Sequence, residues 1–485
     1  MKRSLVAVLV CGLSACMVGP DYQRPPATVP PAYLAYKELR GWTIAQPQDT
    51  VARGRWWSIY HDPELDWLLS QVEVSNQTVK QFEAQYRNAV ALVGEARANL
   101  FPTVGATAGV TRTSGLTSRS SASGFSSAPL TQYSLEGTIN WDLDVWGRVR
   151  RQVESQVSAA QVGAADLVNA QLSAQATLAT DYFDLRAEDA LEDLLRQTVD
   201  YYQRSLEITQ NQFNAGIVSS ADVVTAQALL ESTRATLVSV GVQRAIFEHA
   251  IAVLTGRAPA QLTIPHGRLP SAVPIPPPGL ASTLLERRPD IAAAERQMQE
   301  ENALIGVQVA AFYPDITLST LGGFIGSPLS ELFTVPNRIW SLGAAASQTL
   351  FEGGARSAAV AAAHATYDQS VANYRQVVLT ALQGVEDQLS SLRILAQQAR
   401  AEATAVAATQ RSVTVALNAY RAGTVAYTTV ITQQALLLGD QESALAVQQS
   451  RLVASVALVV ALGGDWNVGK LPASNALRKW RTVSY

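Results

Sequence analysis

The side chains of this chain that could carry out chemistry are few and widely spaced. Its two cysteines, Cys11 and Cys16, both lie near the N-terminus, so neither a disulfide framework nor a cysteine-based metal site can form in the rest of the chain. Its histidines are scattered without the spacing of metal ligands, at His61, His249, His266 and His364. The sequence has no phosphate-binding loop and no Ser/His/Asp arrangement, so we expect no enzymatic activity, no cofactor and no bound metal.

The composition excludes several other classes of protein. Of the 485 residues, 37 are Lys or Arg and 40 are Asp or Glu, which gives a net charge of -3. A nucleic-acid-binding protein would show a basic excess, so we expect no nucleic acid as a partner. Charged residues make up 16% of the chain and hydrophobic residues 48%, which excludes a disordered protein.

The N-terminus has the pattern of a secretory signal that ends in a modifiable cysteine. A lysine and an arginine precede the apolar run Leu5–Val10, and Leu13-Ser14-Ala15-Cys16 follows. The run is too short to span a bilayer, which takes ~20 residues. This pattern resembles a bacterial lipoprotein signal, which implies cleavage of residues 1–15 and attachment of lipid to Cys16; a plain signal peptide is the alternative.

The residue after that cysteine bears on localisation. Met17 stands where an aspartate would indicate retention in the inner membrane. The lipoprotein resemblance therefore implies an outer-membrane protein that extends into the periplasm. Every other apolar stretch is interrupted by charged or polar residues, so we expect no transmembrane helix in the mature chain.

The chain contains an internal repeat. Residues 211–230 match residues 418–437 at an offset of 207, with ten identities in twenty positions. Gly147 and Gly354 keep the same offset, as do Gly256 and Gly463. Chance similarity between two alanine-rich helices would not place glycines in register over such distances. We therefore interpret the chain as two copies of one structural repeat.

Each half predicts a long helical hairpin, over residues 147–256 and 354–464. Both segments lack proline. From Val385 to Tyr420, apolar or small residues recur at steps of four and three, with Gln410 the one polar member, and this heptad pattern is typical of left-handed coiled packing. The pattern ends at Ala-Gly in both halves, where a glycine just past a helix end provides a left-handed cap.

Between the helices the period changes from seven to two. In residues 102–146, Leu135, Ile139 and Trp141 alternate with polar residues, and a Ser/Gly-rich stretch separates two such runs. The second half repeats the alternation within residues 313–353. These segments predict two β-hairpins with one apolar face, as in a transmembrane barrel; a half-buried hairpin of a soluble protein is the alternative.

Four strands are too few for a closed barrel, because the smallest transmembrane barrels have about eight. Open sheet edges cannot lie in lipid, where their backbone groups would have no hydrogen-bond partners. If these strands cross a membrane, several copies of the chain must share one barrel.

Three motifs, taken in order with the lipoprotein signal and the repeat, resemble one family. They are the start Cys16-Met17-Val18-Gly19-Pro20-Asp21-Tyr22, the stretch from Trp56-Trp57 through Asp62-Pro63-Glu64-Leu65, and Glu286-Arg287-Arg288-Pro289-Asp290-Ile291. With these motifs the chain resembles the outer-membrane-factor family that includes TolC and OprM, in its NodT-like branch of efflux lipoproteins.

The resemblance implies an α+β membrane protein that forms a homotrimer. Each copy would give four strands to a twelve-stranded outer-membrane β-barrel and four helices to a periplasmic α-barrel. An equatorial domain would be built from residues 16–101, the proline-rich connection 257–312 and the tail 465–485. The resemblance also implies a periplasmic membrane-fusion adaptor and an inner-membrane pump of the resistance-nodulation-division type as partners, with the chain as the passive exit duct.

The helix tips and a gate are the functional regions that the resemblance implies. The tip residues expected to dock the adaptor are Asn214, Ala215, Gly216, Ile217 and Val218 in the first half, and Arg421, Ala422, Gly423, Thr424 and Val425 in the second. Tyr420 matches the family's gate tyrosine, but Thr432 stands at the position of the gate aspartate. We therefore expect a weak closed state held by neutral contacts of Tyr420, Thr432 and Gln434, with Asp222 as a charged residue at the first tip.

Two other functions stay open at this point. The exit channel of a type I protein secretion system would use the same architecture. A periplasmic coiled-coil lipoprotein without a pore would show the same heptads.

Overall fold

The computed structural model describes residues 17–27, 29–30, 33–34, 55–114, 129–275 and 284–479. Cys16 and the signal segment lie outside the described residues. The described α-helices and β-strands, in chain order, are α1 (Pro63–Ser75), α2 (Gln77–Ala98), β1 (Thr103–Thr113), β2 (Leu130–Leu143), α3 (Arg148–Asn214), α4 (Ser220–Leu254), α5 (Leu284–Arg287), α6 (Pro289–Ala310), β3 (Asp315–Gly326), β4 (Arg338–Ser347), α7 (Ala355–Arg421), α8 (Tyr427–Ala461) and α9 (Ser474–Leu477).

Two helical hairpins of equal size dominate the molecule. The first consists of α3 and α4 and the second of α7 and α8. The long arms, α3 and α7, have 67 residues each, and the short arms, α4 and α8, have 35 residues each. At 1.5 Å per residue a long arm extends for about 100 Å, much longer than the diameter of an ordinary domain.

The paired glycines of the repeat have the same structural role in both halves. Gly147 and Gly354 precede the long arms with φ angles of 82° and 89°, a left-handed conformation that other residues rarely adopt. Gly256 and Gly463 follow the short arms and touch other segments closely. A Cβ at Gly256 would lie 2.2 Å from the carbonyl oxygen of Ser75, and one at Gly463 would lie 2.0 Å from that of Arg287.

The strands form one antiparallel sheet in the order β1-β2-β3-β4. The two hairpins are joined by pairing of β2 with β3, in which Leu135 lies opposite Phe324. The register places apolar side chains in rows on one face, for example Val104, Ile139 and Leu342 around Thr320. These side chains are exposed, with Val104 76% and Leu342 78% accessible. The opposite face carries polar residues such as Asn140 and Ser319, which lie opposite each other.

A carboxylate at the junction of β2 and α3 caps the start of the helix. Asp144 lies after the end of β2, and its carboxylate accepts hydrogen bonds from the backbone N–H groups of Val149 and Arg150, each at 2.9 Å. Because a carboxylate at a helix start satisfies free N–H groups, Asp144 stabilises the beginning of α3.

The motif around Trp56 and Asp62 forms the core between the N-terminal helices and α3. Trp56 and Trp57 are buried together with Leu65, Leu68 and Phe183. Asp62 accepts the backbone N–H groups of Glu64 at 3.0 Å and Leu65 at 3.2 Å as the N-cap of α1. It also accepts the hydroxyl of Tyr182 at 2.6 Å, which ties α1 to α3.

The predicted heptad seam of α7 is covered unevenly in a single chain. Val385 and Leu389 are buried at one end, and Val413 and Tyr420 at the other. Ala403, in the middle, is exposed. The single chain thus covers the seam where α6 or the tip lies against it, and leaves its centre accessible.

Two helices of the described residues are long and apolar enough to cross a membrane by length and composition, namely α4 and α8. From the sequence we expected no such helix. Each carries charges along its length, among them Glu231 and Arg234 in α4, and Asp440 and Glu442 in α8. Each also packs along a 67-residue partner of its hairpin, so we interpret both as hairpin arms with an apolar face.

Candidate channel tips and gate

The long arms α3 and α7 end at the hairpin tips with the same kind of C-terminal cap. At the first tip, Gly216 has a φ of 72°, its N–H donates to Phe213 at 2.8 Å, and the N–H of Ile217 donates to Gln212 at 2.9 Å. At the second tip, Gly423 has a φ of 73° and donates to Tyr420 at 2.9 Å. This paired arrangement is the Schellman motif, which satisfies carbonyl groups left free by the helix end.

The tip residues predicted to dock a partner lie at the surface. Asn214, Ala215, Gly216 and Ile217 are exposed, as are Arg421, Ala422, Gly423 and Thr424. Val218 and Val425 are half-buried and pack against the cluster described next. Among the described residues, nothing lies within 4 Å of a Cβ built at Gly216 or Gly423, so these glycines are required for their conformation and leave the backbone accessible.

An apolar cluster behind the tips joins the two hairpins. This tip cluster consists of Ala226 from α4, Ala416 and Tyr420 from α7, and Tyr427 and Val430 from α8. The rings of Tyr420 and Tyr427 are 5.1 Å apart at an angle of 48°. The hydroxyl of Tyr427 lies 2.6 Å from that of Ser205 on α3. The contact crosses between the hairpins, so it resists their separation.

Tyr420 is the one predicted gate residue that lies in the tip cluster. It is 6% exposed, and its hydroxyl has no hydrogen-bond partner among the described residues. Burial raises the pKa of Tyr420, the Thr209 hydroxyl lowers it, and Asp222 and Tyr427 raise it further. Thr209 donates its own proton to the carbonyl of Ser205 at 2.9 Å. An unpaired buried hydroxyl destabilises a packed arrangement.

Among the described residues, the other gate candidates form no hydrogen bond with the Tyr420 hydroxyl. Asp222 accepts the backbone N–H of Ser219 at 3.1 Å and its hydroxyl at 3.0 Å, in a capping box at the start of α4. Thr432 is exposed and donates to the carbonyl of Thr428 in its own helix at 2.9 Å. Gln434 is 3% exposed, and neither amide atom has a partner among the described residues.

Tyr427 and Ser205 were not predicted from the sequence. Tyr427 is the first residue of α8, and its position in the second repeat corresponds to Ser220 in the first. That departure from the repeat was the available signal. Ser205 gave none, because a serine on a long helix is ordinary until the facing residue is known. Burial raises the pKa of Tyr427, and the hydrogen bond with Ser205 opposes that shift.

In the part of the chain that the structure describes, one cluster has side chains close enough to hold a metal ion, namely Asp189, Glu192 and His266. Asp189 is fully buried and accepts from Arg186 at 2.8 Å, Arg244 at 2.7 Å and the backbone N–H of Gly267 at 2.9 Å. Two guanidinium groups on one carboxylate already supply its positive partners. We interpret the cluster as a joint that ties the connection around residue 267 to α3 and α4.

A sheet with an exposed apolar face, continued by two long helical hairpins, is the arrangement of an outer-membrane channel protein. The family model described as outer membrane efflux protein matches residues 68–257 and 280–464, and the chain belongs to that family. The prediction of an outer-membrane efflux channel is therefore confirmed.

The similarity to known relatives extends over nearly the whole chain. The toluene efflux pump outer membrane protein TtgC of Pseudomonas putida is 29% identical over 482 residues, which cover 96% of this chain and 96% of that protein. The probable outer membrane lipoprotein SilC of Salmonella typhimurium is 28% identical over 462 residues, which cover 94% of this chain and 96% of that protein.

Solved structures share the fold. The outer-membrane channel OprN superposes with a TM-score of 0.82 at 28% identity, over 93% of this chain and 99% of that chain. The Campylobacter jejuni CmeC outer membrane channel superposes with a TM-score of 0.87 at 20% identity, over 95% of this chain and 97% of that chain. At the lower identity the likeness shows the fold alone.

Proposed function

We propose that the chain forms the exit duct of a tripartite efflux system as a homotrimer, anchored in the outer membrane by lipid on Cys16. Each copy contributes four strands to a twelve-stranded barrel and four helices to a periplasmic α-barrel. A periplasmic membrane-fusion adaptor docks at the hairpin tips and connects the duct to an inner-membrane pump of the resistance-nodulation-division type. Cargo passes without being chemically changed.

The observation that carries this proposal is the open sheet. Within the described residues, β1 pairs only with β2 and β4 pairs only with β3. Each edge therefore presents backbone N–H and C=O groups without partners, while the apolar face is exposed. Lipid tolerates the apolar face but excludes the open edges. Pairing of β4 in one copy with β1 in the next satisfies both edges and closes the sheet.

The helices next to these edges support the same assembly. In α6, which leads into β3, the small residues Ala303, Gly306 and Ala310 are buried. Their counterparts at an offset of 212 in α2, which leads into β1, are Ala91, Gly94 and Ala98, and these are exposed. Among the described residues, nothing lies within 4 Å of a Cβ built at Gly94. The small-residue face of α6 is thus packed within the chain, whereas the corresponding face of α2 is left exposed.

The matching partner surface lies at the start of α7. Arg151, Ser155 and Ser158 at the start of α3 are buried, whereas their counterparts in α7, Ala358, Ala362 and Ala365, are exposed. Packing α2 of one copy against the start of α7 in its neighbour reproduces the contact that α6 makes with α3. Since the two surfaces differ, each contact is head-to-tail, and such contacts form a ring when the rotation between copies closes.

A substitution at Gly94 tests this assembly. Gly94→Leu adds bulk in a place that is open in the single chain, so the subunit should fold while the trimer is lost. Gly94→Ala is the matched control, because it adds only a Cβ and gains similar helix propensity. Light scattering of purified protein in detergent should give a trimer for the Ala variant and mainly monomer for the Leu variant. A monomeric wild type that inserts stably into liposomes would contradict the proposal.

A second measurement tests the duct. Wild-type protein in planar bilayers should give single-channel currents, whereas a pore-less lipoprotein gives none. Deletion of the gene for this protein should make the native cell more sensitive to small toxic compounds. Loss of secretion of a protein, with unchanged sensitivity, would favour a type I secretion exit instead.

A further inference from the structure

The residues that follow Cys16 lie in a site built around one buried arginine. The Arg151 side chain is 1% exposed. Its guanidinium donates to the carbonyl oxygens of Val18 at 3.3 Å and Gly19 at 3.2 Å, and to the carboxylate of Asp21 at 2.9 Å. Its remaining nitrogen donates to Glu154 on its own helix at 2.8 Å. Three of the four contacts are with the N-terminal segment 17–22.

Glycines let that segment approach the helices. Gly19 has a φ of 94°, and a Cβ there would lie 2.5 Å from the Cα of Gly306. A Cβ at Gly306 would lie 2.9 Å from the Arg151 side chain. Asn302 donates to the carbonyl of Pro20 at 2.9 Å. The pocket is therefore shaped for backbone, and any side chain at either glycine would push the segment out.

The site lies where the sheet meets α3. The N–H of Val18 donates to the carbonyl of Trp146 at 3.1 Å, and a Cβ at Gly147 would lie 2.5 Å from the Met17 side chain. The Trp146 ring stacks on Tyr313 with centroids 4.8 Å apart, and its indole N–H donates to Pro314 at 2.9 Å. Aromatic rings with a polar edge are enriched where a bilayer meets water.

The second half of the repeat lacks this site. Ala358 stands at the position of Arg151, and Gly354 at that of Gly147. Among the described residues, nothing lies within 4 Å of a Cβ built at Gly354, and Leu350 and Phe351 in the same turn are 93% and 88% exposed. A feature needed for the helix start itself would recur in both halves. The arginine is specific to the half that receives the N-terminal segment.

We propose that Arg151 is a positioning residue that holds segment 17–22 and thereby sets where the lipid on Cys16 enters the bilayer, beside Trp146 and Tyr313. The inference rests on the proposed lipid anchor. Cys16 is bonded directly to Met17, so a held segment leaves the lipid almost no freedom to move along the wall of the channel. A loose segment would let the anchor and the sheet meet the membrane at different heights, which should lower the yield of assembled channel.

Hydrogen exchange on the full protein in nanodiscs tests the docking. Arg151→Gln should speed exchange of the Val18 N–H at least tenfold, while exchange in the middle of α3 stays as in wild type. Arg148→Gln is the matched control, since Arg148 lies in the same turn, is 55% exposed and pairs with Asp315 only at 3.6 Å. Gly19→Ala should have the same effect as Arg151→Gln without altering any helix.

The predicted loss of assembled channel is tested by measuring the fraction of heat-resistant oligomer in outer membranes. That fraction should fall severalfold for Arg151→Gln and Gly19→Ala and stay unchanged for Arg148→Gln. Unchanged exchange at Val18, or faster exchange with full assembly, would overturn the inference. Mass spectrometry of the mature N-terminus separates failure of the lipid anchor from failure of the docking. An unmodified Cys16 would refute the lipid anchor. It would also refute the positioning role of Arg151, even if segment 17–22 remains docked in a Cys16→Ala variant.

Discussion

The hydroxyl of Tyr427 lies 2.6 Å from the hydroxyl of Ser205, and this hydrogen bond links the second helical hairpin to the first just behind the tips. Both groups are buried. The neighbouring Tyr420 packs on Tyr427 but leaves its own hydroxyl unpaired among the described residues. Within the described residues, the two hairpins are therefore joined behind the tips by this hydrogen bond and by apolar contact, without an ion pair between the gate candidates.

Removing that hydrogen bond should loosen the tips. Tyr427→Phe keeps the ring and loses the hydroxyl, and it leaves Ser205 facing an apolar edge, at a cost of about 1 kcal/mol. We expect a higher open probability in planar bilayers with unchanged conductance of the open channel. Tyr86→Phe, on α2 and away from the tips, should behave as wild type. Equal gating in both variants would show that the bond does not hold the closed state.

Tyr420 should act through packing and not through its hydroxyl. Tyr420→Phe should not loosen the tips, because it removes only a buried hydroxyl that has no hydrogen-bond partner among the described residues. Tyr420→Ala removes the ring from a buried cluster and should cost about 3–5 kcal/mol if the site cannot collapse. We expect larger resting ion currents for the Ala variant alone. A wild type that already conducts as fully as the Ala variant would rule out a closed state.

The tip glycines should be needed for their backbone conformation. An L-residue in the left-handed region costs about 1–2 kcal/mol, so Gly216→Ala and Gly423→Ala should distort each tip without any clash. We expect weaker binding of the adaptor in a surface-bound assay and unchanged trimer mass. Gly241→Ala lies in the body of α4 with open space around it and serves as the control. Full adaptor binding by both tip variants would place the docking surface elsewhere.

Glu300 on α6 should make stability depend on pH. Burial raises the pKa of Glu300 to about 7, with a smaller effect of Glu301 in the same direction. A carboxyl whose pKa is higher in the folded state stabilises the fold below its unfolded pKa of about 4.3 and loses that contribution as the pH rises towards 7. Glu300→Gln should therefore raise Tm relative to wild type at pH 8 and not at pH 4.

The exposed Glu231 on α4 provides the comparison for that titration. Glu231→Gln should leave the Tm difference between pH 4 and pH 8 as it is in wild type. If Glu300→Gln also leaves it unchanged, the partial burial of Glu300 does not raise its pKa in the folded protein.

Much of the fold could be predicted from sequence because its elements carry long local signals. The heptad steps, the proline-free segments and the two Ala-Gly pairs predict helices that end at Asn214 and Arg421, and alternation predicts the strands. Less of the tip and gate region could be predicted. Tyr420 and the tips could be located through the repeat and the resemblance. The contacts that Tyr420, Thr432 and Gln434 form could not be predicted, because the face that a helix turns inward depends on its neighbours.

By itself, the sequence determined which segments are helix or strand, where the hairpins turn, which face of the sheet is apolar, and the family. These properties depend on residues within a few turns of one another. Only the tertiary structure decided that β2 pairs with β3, that Tyr427 bonds Ser205, and that Arg151 holds the residues after Cys16. Each of these contacts joins residues more than a hundred positions apart, and periodicity shows which face is buried without showing what it meets.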